Sequence, residues 1–149
     1  MIKITEKNRF ILFAAIILVS VLFHHIVQSA DNGPVEIKRG NKNGTIDITS
    51  FAEIVAKNPD GVLLVDVRTA EEYESGSLKN AINIPIDELE DRIDLFSADK
   101  PIIYICETGE RSAEAYDITA LLRDDLQVYY VDAFLSFDKD GTYRIESNE

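Results

Sequence analysis

Histidine, cysteine and tryptophan are nearly missing from this chain of 149 residues, which has two His, one Cys and no Trp. Both histidines, His24 and His25, lie in an N-terminal apolar run, so everything beyond it lacks an imidazole. This excludes Ser-His-Asp and Cys-His catalysis there, together with most zinc sites, and neither a metal nor a cofactor is expected. A single cysteine cannot close an internal disulfide. Any oxidised or sulfur-loaded form of Cys106 must therefore be resolved by another molecule. Basic side chains are scarce as well. Without residues 1–30, which hold Lys3, Lys7, Arg9 and Glu6, the remainder has 12 basic and 26 acidic residues and a net charge of −14. Such a surface repels nucleic acid and anionic lipid, so no nucleic-acid partner is expected. No internal repeat or low-complexity run occurs, and an apolar fraction of 46% with 28% charged residues suits one globular domain with a real core.

At the N-terminus, Lys3, Lys7 and Arg9 precede an almost unbroken apolar run over residues 10–27. This reads as an N-terminal hydrophobic helix that directs export, with residues 1–30 serving as a signal anchor or a signal peptide. Its length suits either fate; cutting after Ser29, with Val27 upstream, fits a cleaved signal. The basic flank directs the rest of the chain outward. The domain is then membrane-anchored and facing a periplasm or the cell exterior, or soluble in the periplasm after cleavage. Residues 31–45, with Gly33, Pro34, Asn41 and Gly44, read as a linker, and residues 46–149 as one domain.

Within that domain short apolar runs alternate with helical windows. Ile46-Asp47-Ile48, Val62–Val65, Ala81–Ile84, Pro101–Ile105 and Val128–Val131 are strand candidates. Ser50-Phe51-Ala52-Glu53 and Thr69-Ala70-Glu71-Glu72 are capping boxes that open helices, the second stopping near Gly76. Asp87–Glu90 starts another. Ala113, Tyr116, Ala120 and Leu121 predict a helix over 112–123 with these residues on its buried face. Apolar character that is continuous along the strands argues for a mostly parallel sheet covered on both faces. In such sheets functional groups collect beyond the carboxyl ends of the strands, where Asp66, Arg68 and Cys106 all fall.

The strand ending at Ile105 runs into Cys106-Glu107-Thr108-Gly109-Glu110-Arg111-Ser112 and then a helix. A thiol placed there faces unpaired backbone N–H groups and a helix dipole, which together stabilise a sulfur anion. N–H groups from Glu107 to Ser112 can form a cradle, and Gly109 relieves its tight curvature. Arg111 closes the loop, either by binding an anionic substrate or by pairing with a carboxylate; the pairing is the expected role. Asp66 and Arg68 read as a supporting pair that fixes a strand end.

Leu64-Val65-Asp66-Val67-Arg68, Glu71-Glu72-Tyr73, Gly76–Pro85 and Cys106-x-x-Gly109-x-Arg111-Ser112, in this order and spacing over about residues 46–131, resemble a single-domain rhodanese. The resemblance implies an α/β fold with a five-stranded, mostly parallel sheet and helices on both faces. It also implies that Cys106 carries sulfane sulfur as a persulfide. The expected donor is thiosulfate or a low-molecular-weight persulfide, and the expected acceptor a thiol or cyanide, with a partner protein as a further candidate. Four residues separate Cys106 from Arg111, where the related phosphatases have five, so the loop suits one sulfur atom better than a phosphate. The sequence departs from the family at several points. Glu107 and Glu110 oppose a dianion, and Thr108 and Glu72 stand where thiosulfate-using two-domain members have cations. Weak thiosulfate:cyanide activity is expected in consequence. Ser77 replaces a common histidine, and Asp132-Ala133 replaces a glycine pair after the last strand. A rhodanese-like binding or sensing module with negligible turnover is the alternative function.

Overall fold

The computed structural model describes residues 35–148. The N-terminal hydrophobic helix expected within residues 1–30 lies outside them. Among the described residues no helix is long and apolar enough to cross a membrane.

The chain alternates helices α1 (Ile48–Lys57), α2 (Ala70–Ser75), α3 (Leu89–Arg92) and α4 (Glu110–Leu122) with strands β1 (Leu63–Asp66), β2 (Ile82–Asn83), β3 (Ile102–Ile105) and β4 (Val128–Tyr130). These strands form one parallel sheet in the order β2-β1-β3-β4, with Leu63 opposite Ile102 and Ile102 opposite Val128. Among the described residues the sheet therefore has four strands, where five were expected. The fifth position holds only a parallel bridge, Thr45 to Tyr130, in which the Ile46 N–H donates to the Tyr130 carbonyl at 3.0 Å. The expected strand Ile46–Ile48 is cut short because Asp47 caps α1, its carboxylate accepting from the Ser50 N–H at 2.8 Å. That cap also replaces the box expected at Ser50. The Thr69–Glu72 box forms as read, and α2 ends at Gly76.

Alternation along β3 builds two cores. Ile103 and Ile105 pack with Phe51 and Ile54 of α1, whereas Ile102, Tyr104 and Cys106 join Leu89 of α3 and Ala115 of α4 on the other face. Helices cover both faces, and the parallel strands need no exposed edge in the middle of the sheet. The helix expected over 112–123 begins two residues earlier, and its buried face is Ser112, Ala115 and Thr119 rather than Ala120 and Leu121. Leu121 is instead 83% exposed. Small side chains let α4 lie close to the sheet, and the Thr119 hydroxyl satisfies the buried Tyr104 hydroxyl at 2.7 Å.

After β4 the chain adds an antiparallel hairpin, β5 (Ala133–Phe137) and β6 (Tyr143–Ser147), which sequence reasoning left unassigned. Its Asp138 end seats on Gly76, where an added Cβ would lie 2.9 Å from the Asp138 carbonyl carbon and oxygen. Gly76 also has φ of 154°, so a side chain there is disfavoured twice over.

The turn after β1 is tied by a buried ion pair. Asp66 is 0% and Arg68 5% exposed. The Asp66 carboxylate accepts from the Arg68 backbone N–H at 3.0 Å, its guanidinium at 2.7 Å and the Ser77 hydroxyl at 2.6 Å. Arg68 also donates to the Gly76 carbonyl at 2.7 Å and lies 4.3 Å from the Phe137 ring centroid. Removing one partner leaves the other charge buried and uncompensated, so Arg68→Ala is expected to lower stability by about 3–5 kcal/mol in urea unfolding. Lys57→Ala, which breaks an exposed pair with Glu53, is expected to change it by less than about 0.5 kcal/mol. Equal losses from both would contradict this account of the turn.

Candidate active site

Cys106 follows β3 directly and is 1% exposed, at the floor of a loop that runs into α4. Its sulfur accepts from the Gly109 N–H at 3.2 Å and lies 3.5 Å from the Ser112 hydroxyl. Gly109 is the residue before the first turn of α4 and has φ of 90°, in the left-handed region that glycine enters without strain. The thiol thus sits at the positive end of a 13-residue helix. Ser112 is fully buried, and its hydroxyl is within reach of the Gly109 carbonyl at 2.9 Å and the Val131 carbonyl at 3.2 Å.

The other loop residues divide by exposure. Glu107 and Glu110 are exposed, Thr108 is half-buried and Gly109 is buried. Arg111 forms a two-pronged pair with Glu72, with Nη1–Oε2 at 2.7 Å and Nη2–Oε1 at 2.8 Å. Of its two possible roles, the geometry displays pairing with a carboxylate. The Arg111 hydrogen bonds hold the Glu72 carboxyl at about 2, well below the usual carboxylate range. Glu72 also completes the Thr69 cap, so one side chain links α2 to the start of α4. Asp66 and Arg68 stand at the end of neighbouring β1 as the buried pair described above. There the Val67 N–H donates to the Ile105 carbonyl at 3.0 Å, joining the two strand ends.

Three contributors to the site were not singled out from sequence. The Leu135 N–H of β5 donates to the Glu107 carbonyl at 2.8 Å. Asn148 donates from Nδ2 to the Thr108 carbonyl at 3.3 Å and to Asp132 Oδ1 at 3.0 Å. Asp132 in turn pairs with Lys42 at 2.5 Å, which keeps its carboxyl below the usual range. The replacement of a glycine pair by Asp132-Ala133 was the only sequence signal near them. A groove of about 170 Å³ lies on the hairpin where it meets Glu107 of the loop, lined by Glu107, Phe134, Leu135, Ser136, Arg144 and Glu146. Among the described residues no group of three or more His, Cys, Asp or Glu side chains is placed to hold a metal ion.

The Glu72–Arg111 pair has a defined pH signature. The folded value of Glu72 lies below its ordinary 4.5, so protonation favours the unfolded chain. The stabilisation is therefore complete above about pH 4.5 and is lost as pH falls towards 2. Glu72→Gln is expected to cost about 1 kcal/mol or less at pH 7, because both side chains are about one-third exposed, at 31% and 33%. The difference between parent and variant, measured by chemical unfolding, should close between pH 4.5 and 2; a gap that stays constant over that range would refute the assignment.

Comparison with known proteins agrees with this architecture. The Rhodanese-like domain family model matches residues 48–136. The chain is 33% identical over 73 residues to the thiosulfate:glutathione sulfurtransferase of Homo sapiens, covering 40% of this chain and 64% of that protein. It is 40% identical over 79 residues to the HTH-type transcriptional regulator Rv0324 of Mycobacterium tuberculosis, covering 52% of this chain and 34% of the regulator. The chain thus spans less than two-thirds of either relative's length. Among solved structures, the human single-domain sulfurtransferase TSTD1 superposes with a TM-score of 0.50 at 25% identity, covering 61% of this chain and 90% of that one. SSP1007 from Staphylococcus saprophyticus gives 0.50 at 29%, covering 59% and 85%. With the family model spanning more than half of its residues, and with a parallel sheet that delivers Cys106 to the foot of a helix, the chain belongs to the rhodanese-like family.

Proposed function

We propose that the protein is a sulfurtransferase in which Cys106 carries sulfane sulfur as a persulfide. The observation that carries this is the Gly109 N–H, 3.2 Å from a buried sulfur at the foot of α4. That arrangement favours a sulfur anion without any histidine. In the first half-reaction the Cys106 thiolate attacks the outer sulfur of a donor. The new S–S bond forms as the donor's own bond to that sulfur breaks, and sulfite leaves from thiosulfate or a thiolate from a low-molecular-weight persulfide. In the second, an acceptor thiolate or cyanide attacks the outer sulfur, and Cys106 leaves again as thiolate, taking the electron pair of the broken bond. No net redox change occurs at Cys106 over the cycle.

Electrostatics supports a persulfide donor over thiosulfate. The exposed Glu107 and Glu110 flank the loop, and Arg111 is engaged by Glu72, so no loop cation is held ready for a dianion. The similarity to sulfurtransferases supports small sulfur donors and thiol acceptors in general. The basic flank and apolar run of residues 1–27 support an extracytoplasmic domain, anchored by that segment or released from it. The match to a transcriptional regulator favours a second reading, in which the domain takes up sulfur as a sensor and hardly turns over.

Intact mass after incubation with glutathione persulfide tests the proposal. The parent is expected to gain one sulfur atom and Cys106→Ser none; no gain in the parent, or a gain that survives the substitution, would overturn it. Glutathione persulfide should load Cys106 faster than thiosulfate, and repeated transfer to cyanide or a dithiol separates the enzyme from the sensor.

A further inference from the structure

The Gly109 amide that faces the sulfur is aimed from behind, by the C-terminal part of the domain. A trans peptide unit points its carbonyl and its N–H in opposite directions, so whatever holds the carbonyl also aims the N–H. No cis peptide bond occurs among the described residues. Three successive carbonyls of the loop are held by hydrogen bonds. Glu107 accepts from the Leu135 N–H at 2.8 Å, Thr108 from Asn148 Nδ2 at 3.3 Å and Gly109 from the Ala113 N–H at 2.9 Å. The middle unit is the informative one. Its carbonyl belongs to Thr108 and its N–H to Gly109, the N–H that meets the Cys106 sulfur at 3.2 Å.

Asn148 is therefore joined to the sulfur through one rigid plane. It is itself held, since Asp132 Oδ1 accepts from the same Nδ2 at 3.0 Å and the other Asp132 oxygen meets Lys42 Nζ at 2.5 Å. Asp132 also packs under Gly109, where an added Cβ would lie 3.2 Å from its Cα. Gly109 can rotate easily, because glycine has the widest conformational choice of any residue. An outside restraint on its peptide plane consequently has something to restrain.

We propose that Asn148 is a positioning residue for the sulfur: by holding the Thr108 carbonyl outward, it keeps the Gly109 N–H aimed at Cys106. This rests on the assignment of Cys106 as the sulfur-bearing group. It adds that the strength of the cradle is set by a side chain 42 positions away in sequence.

The test uses the full chain and the neutral substitutions Asn148→Ala and Asn148→Leu, which remove the donor without adding charge. Asn148 is exposed, so neither variant opens the core. The readouts are the pH dependence of Cys106 alkylation by iodoacetamide and hydrogen exchange of the Gly109 amide. Both variants are expected to move the alkylation midpoint upward by about half to one pH unit, the shift that one weakened hydrogen bond to a thiolate produces. Gly109 exchange should accelerate while the unfolding midpoint in urea stays that of the parent. Asn148→Gln, which keeps an amide donor, should shift the midpoint less than either. An unmoved alkylation midpoint in both neutral variants overturns the proposal. Alkylation needs no sulfur donor, so failure of Cys106 to take up sulfur would defeat the sulfurtransferase reading and leave this result intact, and the reverse holds equally.

Discussion

The carboxylate of Asp66 is a full negative charge placed where no water reaches it, and the site-bearing end of the sheet is arranged around satisfying it. Burying such a charge is costly unless it is paired and hydrogen-bonded. Arg68 meets it from two residues along the chain, and Ser77 from the far end of α2. Ser77 can reach it only if the chain doubles back after β1, and the short helix ending at Gly76 is the turn that allows it. The guanidinium then reaches the Gly76 carbonyl and lies over Phe137 of the hairpin. One buried charge thereby fixes the distance between the end of β1, the end of α2 and β5. The loop of Cys106 lies on the adjacent strand and inherits that fixed frame.

On this frame the acidic character of the molecule takes on a chemical meaning. The loop contains a cation, but Glu72 occupies it on both prongs. Arg111 is thereby tied into the join between α2 and α4, and its pull on an arriving anion is offset by the paired carboxylate. What remains to stabilise a sulfur anion is neutral: the Gly109 N–H and a helix dipole. Neutral donors do not discriminate by the overall charge of a donor molecule. On the proposed reading, discrimination is left to the rim, where the exposed Glu107 and Glu110 oppose dianions.

The sequence made the parallel sheet, the position of the thiol and the loop legible because each has a local signature. Continuous β-branched runs mark buried strands, and the Cys-x-x-Gly-x-Arg spacing marks a tight turn at a strand end. The Thr69–Glu72 cap was equally local. The misses were of other kinds. At Asp47 a stronger cap upstream displaced the one expected at Ser50 and left no room for a fifth strand. On α4 periodicity found Ala113 and Tyr116, which pack against the core, but missed the buried Ser112, Ala115 and Thr119, which carry little apolar contrast, and added the exposed Ala120 and Leu121. The hairpin was passed over although Ala133, Leu135 and Phe137 alternate with outward residues. The contacts of Leu135, Asp132 and Asn148 with the loop are long-range, and no spacing rule announces them.

The division of β3 between two cores also bears on how the site tolerates change. Ile102, Tyr104 and Cys106 share one face while Ile103 and Ile105 share the other, so the thiol's place beside α4 is a matter of odd and even. Side-chain substitutions along this strand alter the packing but leave that parity alone. Insertion or deletion of a single residue between Pro101 and Ile105 reverses it, carrying Cys106 through the sheet to the layer of α1. For this protein, then, the length of a five-residue stretch matters more to the placement of the thiol than its composition does.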